Sequence, residues 1–185
     1  MTTEIENRIH ISAAGEYVFQ LAERVENWPY LLAHYRRVDV LATRPEGRIV
    51  EMSAVRPPIP VPVRWRAIQQ AEPDTKRVLY RHIGGVTRGM EVEWRIMPAG
   101  DGVDVTIVHR FAPPWPWPGP WIAREIVCGF FVHAIADRTL AGIKATAEHS
   151  GTHIHLVTKA AGSPTPSHVA PEQPRRRRHL PGPWG

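Results

Sequence analysis

"NRIHISAAGEYVFQLAERVENWPYLLAHYRRVDVL", residues 7–41, changes its apolar period three times. Residues 4–11 alternate, with Ile5, Ile9 and Ile11 on one side, which predicts a half-buried strand. From Ser12 the step lengthens to three and four. Ser12 can cap a helix with Glu16 in its first turn, and Val18, Phe19, Leu21 and Ala22 form its stripe. The Trp28–Pro29 pair then interrupts. Asn27 can cap a second short helix, with Pro29 in its first turn, where a missing N–H costs no hydrogen bond. From Val38 the period falls back to two. The stretch predicts a strand, two short helices and a returning strand.

Beyond it the chain is strands. Val50, Met52 and Ala54 alternate with Ile49, Glu51 and Ser53. The prolines of "RPPIPVP", residues 56–62, predict a loop or a sheet edge. Val63, Trp65, Ala67 and Gln69 share one face of the next strand, opposite Arg64 and Arg66. Residues 77–83 read as a strand without a clean choice of face, followed by the turn "GGVTRG". Met90, Val92, Trp94 and Ile96 alternate with charged residues. After the hairpin signal "AGDG", Val103, Val105, Ile107, His109 and Phe111 alternate with Asp104, Thr106, Val108 and Arg110. The prolines of "APPWPWPGP" allow neither helix nor ladder. A long helix is expected from about 120 to 149, closed by Gly151. Its inward stripe is Ile122, Ile126, Gly129, His133, Ala136, Leu140, Ile143 and Ala147. Short hairpin connections make the sheet antiparallel, and its apolar face needs the helix as a cover.

Composition narrows the class. The 185 residues divide into a domain over 1–150 and a tail over 151–185. The net charge of +5 lies mostly in that tail, where Lys159 and Arg175 to Arg178 oppose Glu172 alone. The tail is rich in Pro, Ser, Gly and Ala and reads as disordered, so its basic run indicates no specific nucleic-acid partner. The single cysteine, Cys128, excludes an internal disulfide and reads as a small apolar residue beside the helix stripe. A polar N-terminus and the absence of any long apolar run predict a cytoplasmic protein without a membrane span. The "HIH" at 153–155 lacks a third ligand nearby, and no phosphate loop, GxSxG or HExxH occurs. No metal and no cofactor are expected.

A curved sheet wrapped on one helix leaves space between them, and concave-face side chains then line a pocket. Gly129 and Ala136 flank His133 with small residues, which suits such a cavity. Three polar residues stand on apolar faces: Gln69 with Trp65, His109 with Ile107 and Phe111, and His133 on the helix stripe. Each can be a core residue satisfied by a local hydrogen bond, or a group that meets a ligand.

The order of elements and the residues together resemble the START/Bet v 1-like (SRPBCC, helix-grip) superfamily, and within it the polyketide cyclase/dehydrase group. The resemblance covers about residues 4–149. It rests on residues 7–41 with Trp28–Pro29 and Tyr35, on Trp65, on "MEVEW" at 90–94 and on "TLAGIK" at 139–144. It implies an α+β helix-grip fold: seven curved antiparallel strands around a long C-terminal helix, with two short helices between strands 1 and 2 bordering a cavity entrance. It implies a hydrophobic small-molecule ligand. One activity in the group is cofactor-independent aldol cyclisation and dehydration of a poly-β-ketone, presented on an acyl carrier protein. The other is carriage of a lipid, quinone or isoprenoid without chemistry. Aromatase/cyclases in the group generally place a pocket arginine on the strand that here spans 61–70. The matching position is Gln69, and Arg64 and Arg66 face the other way. On this reading Tyr35 and Gln69 donate hydrogen bonds, and His109 or His133 exchanges protons. Trp28, Trp65, Met90, Val92, Trp94, Ile107 and Gly129 shape the slot.

Overall fold

The computed structural model describes residues 3–56, 59–85, 87–111 and 133–161. Seven strands follow one another as β1 (Thr3–Ile11), β2 (Tyr35–Arg44), β3 (Gly47–Arg56), β4 (Ile59–Glu72), β5 (Arg77–Gly85), β6 (Glu91–Ala99) and β7 (Gly102–Phe111). All pairings are antiparallel, in the order β1-β7-β6-β5-β4-β3-β2. The first two strands of the chain therefore occupy opposite edges of the sheet. The connection between them must cross its end, and it does so as α1 (Gly15–Glu23), a 3-10 turn (Val25–Asn27) and α2 (Trp28–Leu31). A long helix, α3 (His133–Ala161), closes the described chain.

The helix-grip architecture is thus the one expected, with differences in detail. Ser12 does not cap α1. Its backbone N–H donates to Glu148 on α3 (3.0 Å), and Ala14 takes the N-cap position without a side-chain bond. Asn27 stands before α2 but makes no capping bond either, because the 3-10 turn runs straight into that helix. The proline-rich stretch 56–62 is not all loop, since β4 begins at Ile59. There β4 pairs with β3 alone, because β5 reaches only as far as Trp65. Pro60 and Pro62 therefore sit beside an open edge, where a missing N–H breaks no ladder. The long helix continues past Gly151 to Ala161. Its expected start, Gly129 and Cys128 included, lies outside the described residues, as does the tail beyond 161.

Register shifts at Tyr35/Arg37 and Val40/Ala42 in β2, Val55/Arg56 in β3 and Arg66/Ala67 in β4 bend the sheet. Its concave face buries Met52, Trp65, Val78, Trp94 and Ile96 against Ala136, Leu140, Ile143 and Ala147 of α3, the predicted stripe. Among the described residues no helix is long and apolar enough to cross a membrane.

Among the described residues the convex face carries one buried charge. The Glu93 side chain is 8% exposed, and Arg77 (2.6 Å), Arg95 (2.7 Å) and Arg110 (3.1 Å) converge on its carboxylate. Bonds from Arg95 most of all, then from Arg110 and Arg77, hold it down to about 2 against its desolvation. A carboxylate with a lowered folded-state pKa stabilises the fold above its ordinary value near 4.5, and that stability goes as pH falls toward 2. Glu93→Gln should cost about 2 kcal/mol at neutral pH and flatten the dependence of stability on pH between these limits. Denaturant unfolding across that window checks it.

Candidate functional site

An α-helix ends with four backbone carbonyls that have no partner inside the helix. At the end of α1 all four are met from nearby. Gln20 O accepts from Arg24 N (3.1 Å), and Leu21 O from Trp28 Nε1 (2.9 Å). Ala22 O accepts from the Tyr80 hydroxyl (3.3 Å), and Glu23 O from Gln69 Nε2 (2.7 Å) and Arg48 Nη2 (2.7 Å). The guanidinium also suits the negative end of the helix dipole. Three strands and α2 are thereby fastened to one helix end.

Gln69 is filled by this arrangement. Its Nε2 donates to Glu23 O and to Tyr80 Oη (3.1 Å), and its Oε1 accepts from Arg48 Nε (3.1 Å) and Nη2 (2.7 Å). Those four bonds are the full capacity of an amide side chain. It is 2% exposed and does not line the cavity, so the expectation that it donates to a ligand is corrected. Arg48 reaches it from the neighbouring strand, where the two residues are directly paired. Its Nη1 continues to Glu26 (3.3 Å).

In front of this cap, between the concave face and α3, lies a small cavity of about 70 Å³, which widens to about 570 Å³ only when the open space at its mouth is counted. Four aromatic side chains form a connected wall. Trp28 meets Tyr35 edge-on (centroids 4.9 Å) and Trp94 at a tilt (5.8 Å), and Tyr35 meets Trp65 edge-on (6.2 Å). Met90, Val92, Ile107 and His109 also line it. Pairing explains where His109 lies. Gln69, Tyr80, Val92, His109 and Ile5 oppose one another across β4, β5, β6, β7 and β1, so all five share the inner face. His133 opens α3 one turn before the cavity residues Ile135, Ala136 and Thr139; its side chain and all of Gly129 lie outside what the structure describes.

Sequence reading missed the contribution of β5. Tyr80 and His82 line the cavity beside Met52 and Thr87. The signal was present, since both share the parity of Val78, but Leu79 and Ile83 on the other side hid it. The His82 ring stacks on Trp65 (6.3 Å, 10° between planes), and its Nδ1 lies 2.6 Å from Thr87 Oγ1. Burial lowers His82 to about 4, so it is neutral at physiological pH. Thr87 is carried by a turn that leaves β5 at Gly85 with φ +82°, where a Cβ would stand 2.4 Å from Arg64 O; only glycine fits.

A second polar group borders the wall. Thr139 Oγ1 donates to Ile135 O (2.8 Å), so toward His34 Nε2 (3.0 Å) it must accept, which puts the proton of that imidazole on Nε2. Burial, and Arg138 to a lesser degree, lower His34 to about 4. Burial pushes the Tyr35 and Tyr80 hydroxyls well above the usual phenol range. Among the described residues no cluster of His, Cys, Asp and Glu could hold a metal ion.

The family model for "polyketide cyclase / dehydrase and lipid transport" matches residues 2–148. No curated protein matches the sequence. Among solved structures, the ZhuI aromatase/cyclase from Streptomyces sp. R1128 superposes with a TM-score of 0.70 at 17% identity, covering 88% of this chain and 99% of that one. TTHA0849 from Thermus thermophilus gives 0.66 at 20% identity over 87% and 100%. A START superfamily protein from Mycobacterium smegmatis gives 0.60 at 14% over 79% and 97%. At such identities the likeness is one of fold.

Because Gln69 caps α1 and is absent from the cavity wall, Gln69→Leu should act on stability. It strips Glu23 O, Tyr80 and Arg48 of a buried partner and should cost about 2–4 kcal/mol. Chemical denaturation measures this. A variant as stable as the native chain would show that the cap is dispensable.

Proposed function

The chain belongs to the polyketide cyclase/dehydrase and lipid transport family, and we propose that it is an aromatase/cyclase-like member acting on a poly-β-ketone or aromatic intermediate. The observation that carries this reading is the cavity wall. Trp28, Tyr35, Trp65 and Trp94 form a connected aromatic wall, with rings edge-on or tilted to one another, around a cavity that His109 also lines. Such a surface suits a planar or cyclising carbon chain, which stacks without needing a charge partner.

The chemistry proposed is aldol ring closure followed by loss of water. A base takes a proton from the carbon between two ketones, and the resulting enolate attacks a distant carbonyl of the same chain. The new alkoxide is protonated. A second proton is then taken from carbon as the hydroxyl leaves, protonated, as water. His109 is the group assigned to take and return these protons, with His133 as the second candidate from the start of α3. Tyr35 is assigned to hydrogen-bond the developing oxyanion. The proposal includes delivery of the substrate as a thioester on an acyl carrier protein, with no further cofactor. A purely carrying role for a lipid, quinone or isoprenoid is the second reading. It is favoured by the full commitment of the Gln69 amide hydrogens to Glu23 and Tyr80, which removes one donor for an oxyanion.

His109→Leu should remain folded, with stability changed by less than about 1.5 kcal/mol. Ligand affinity, or cyclisation of a poly-β-ketone thioester, should fall at least tenfold. Tryptophan fluorescence titrations with aromatic polyketides and quinones, run beside thermal unfolding, read both. Normal binding with a much lower melting temperature would make His109 a core residue and overturn its assignment.

A further inference from the structure

The described cavity wall contains no Asp, Glu, Lys or Arg, although 41 of the 185 residues are of these types. Among the described residues, three arginines of neighbouring segments lie outside the wall. Arg48 lies behind Gln69 and Tyr80, bonded to Glu23 O and paired with Glu26. Arg138 is exposed and acts on His34, outside the wall. Arg88, on the turn that carries Thr87, is exposed. The titratable groups of the wall come from three strands: Tyr35 on β2, Tyr80 and His82 on β5, and His109 on β7; His133 begins the helix that faces them. Both tyrosines resist ionisation and His82 resists protonation, all through burial. None of these three acquires a charge anywhere between about pH 5 and pH 9.

An anion entering along the described wall loses its hydration and meets no Lys or Arg there in return. A neutral hydroxyl meets a fitted partner. His82 is held by its stack on Trp65 and by the hydrogen bond between Nδ1 and Thr87 Oγ1, which leaves Nε2 as the second ring nitrogen; with the proton on Nδ1, Nε2 accepts from a ligand hydroxyl. We propose that the cavity accepts ring compounds only in their electrically neutral form, and holds an ionisable ring hydroxyl protonated against His82. This rests on the cavity being the binding site, and it adds a property that the aromatic wall alone does not supply. A phenolic product would be retained as the phenol and released as the phenolate.

The test uses 7-hydroxycoumarin, whose phenol and phenolate absorb at different wavelengths and interconvert near neutral pH, with 7-methoxycoumarin as the partner that cannot ionise. Both are titrated into the full chain over pH 6 to 9. The methoxy probe should bind with the same affinity throughout. The hydroxy probe should weaken about tenfold for each pH unit above its own pKa, and bound dye should keep the phenol spectrum at least one unit further than free dye. His82→Phe keeps an aromatic ring on Trp65 and removes the polar atom. It should lower affinity for the hydroxy probe at pH 6 at least fivefold relative to the methoxy probe. Hydroxycoumarin binding that ignores pH, or a bound phenol that ionises earlier than the free one, overturns the proposal. An unchanged probe ratio in His82→Phe removes His82 from it. If 7-methoxycoumarin does not bind at all, the failure is that of the cavity as a ring-binding site.

Discussion

The carbonyl end of α1 is the point on which the rest of the molecule is hung. Four backbone oxygens leave that helix unpaired, and each is met by a group from Arg24, α2, β3, β4 or β5. Two of the donors, Trp28 and Tyr80, also line the cavity. Satisfying the helix end therefore fixes the place of the aromatic wall. Because β1 and β2 lie at opposite edges of the sheet, the segment that carries α1 must cross its end in any case. The cap turns that crossing into a rigid border of the cavity.

Charge is sorted between the two faces of the sheet. On the convex side Glu93 gathers three arginines, and Glu51 meets Arg66 (2.6 Å) nearby. On the concave side the described cavity wall holds no Asp, Glu, Lys or Arg, and several polar groups are bonded in pairs, as in His82 with Thr87 and His34 with Thr139. Strand alternation makes this sorting possible, since neighbouring residues point to opposite faces. Its chemical consequence is a described wall that offers a charged ligand no Lys, Arg, Asp or Glu. That lack limits an enolate intermediate as much as a bound phenolate, and it places the weight of the proposed chemistry on the imidazoles.

Gln69 shows how a position can keep its place in the fold and change its work. Parity puts it on the inner face beside Trp65, as read from the sequence. What parity could not show is that Arg48, directly opposite on β3, would bond to its amide oxygen and carry both side chains toward α1. A guanidinium is thus present near the cavity, behind Tyr80, with its hydrogen bonds directed to Glu23, Glu26 and Gln69.

Local pattern was enough for the architecture. The return to period two at Val38, the prolines at 29 and 56–62, the alternation of Met90 to Ile96 and the stripe from Ala136 to Ala147 each follow from geometry within one element. The same alternation set Trp65, Val92, Trp94, Ile107 and His109 on the inner face, and the family resemblance added Trp28 and Tyr35. The roles of Gln69, Arg48, Tyr80, His82 and Thr87 depended on something else: which residue of another element lies opposite. Hydrogen bonds from Gln69 to Glu23 and from His34 to Thr139 join residues 46 and 105 apart in the chain. A side chain's face is a property of its own strand, while its partner is a property of the closed sheet, and only the latter decides whether a buried polar group caps a helix or meets a ligand.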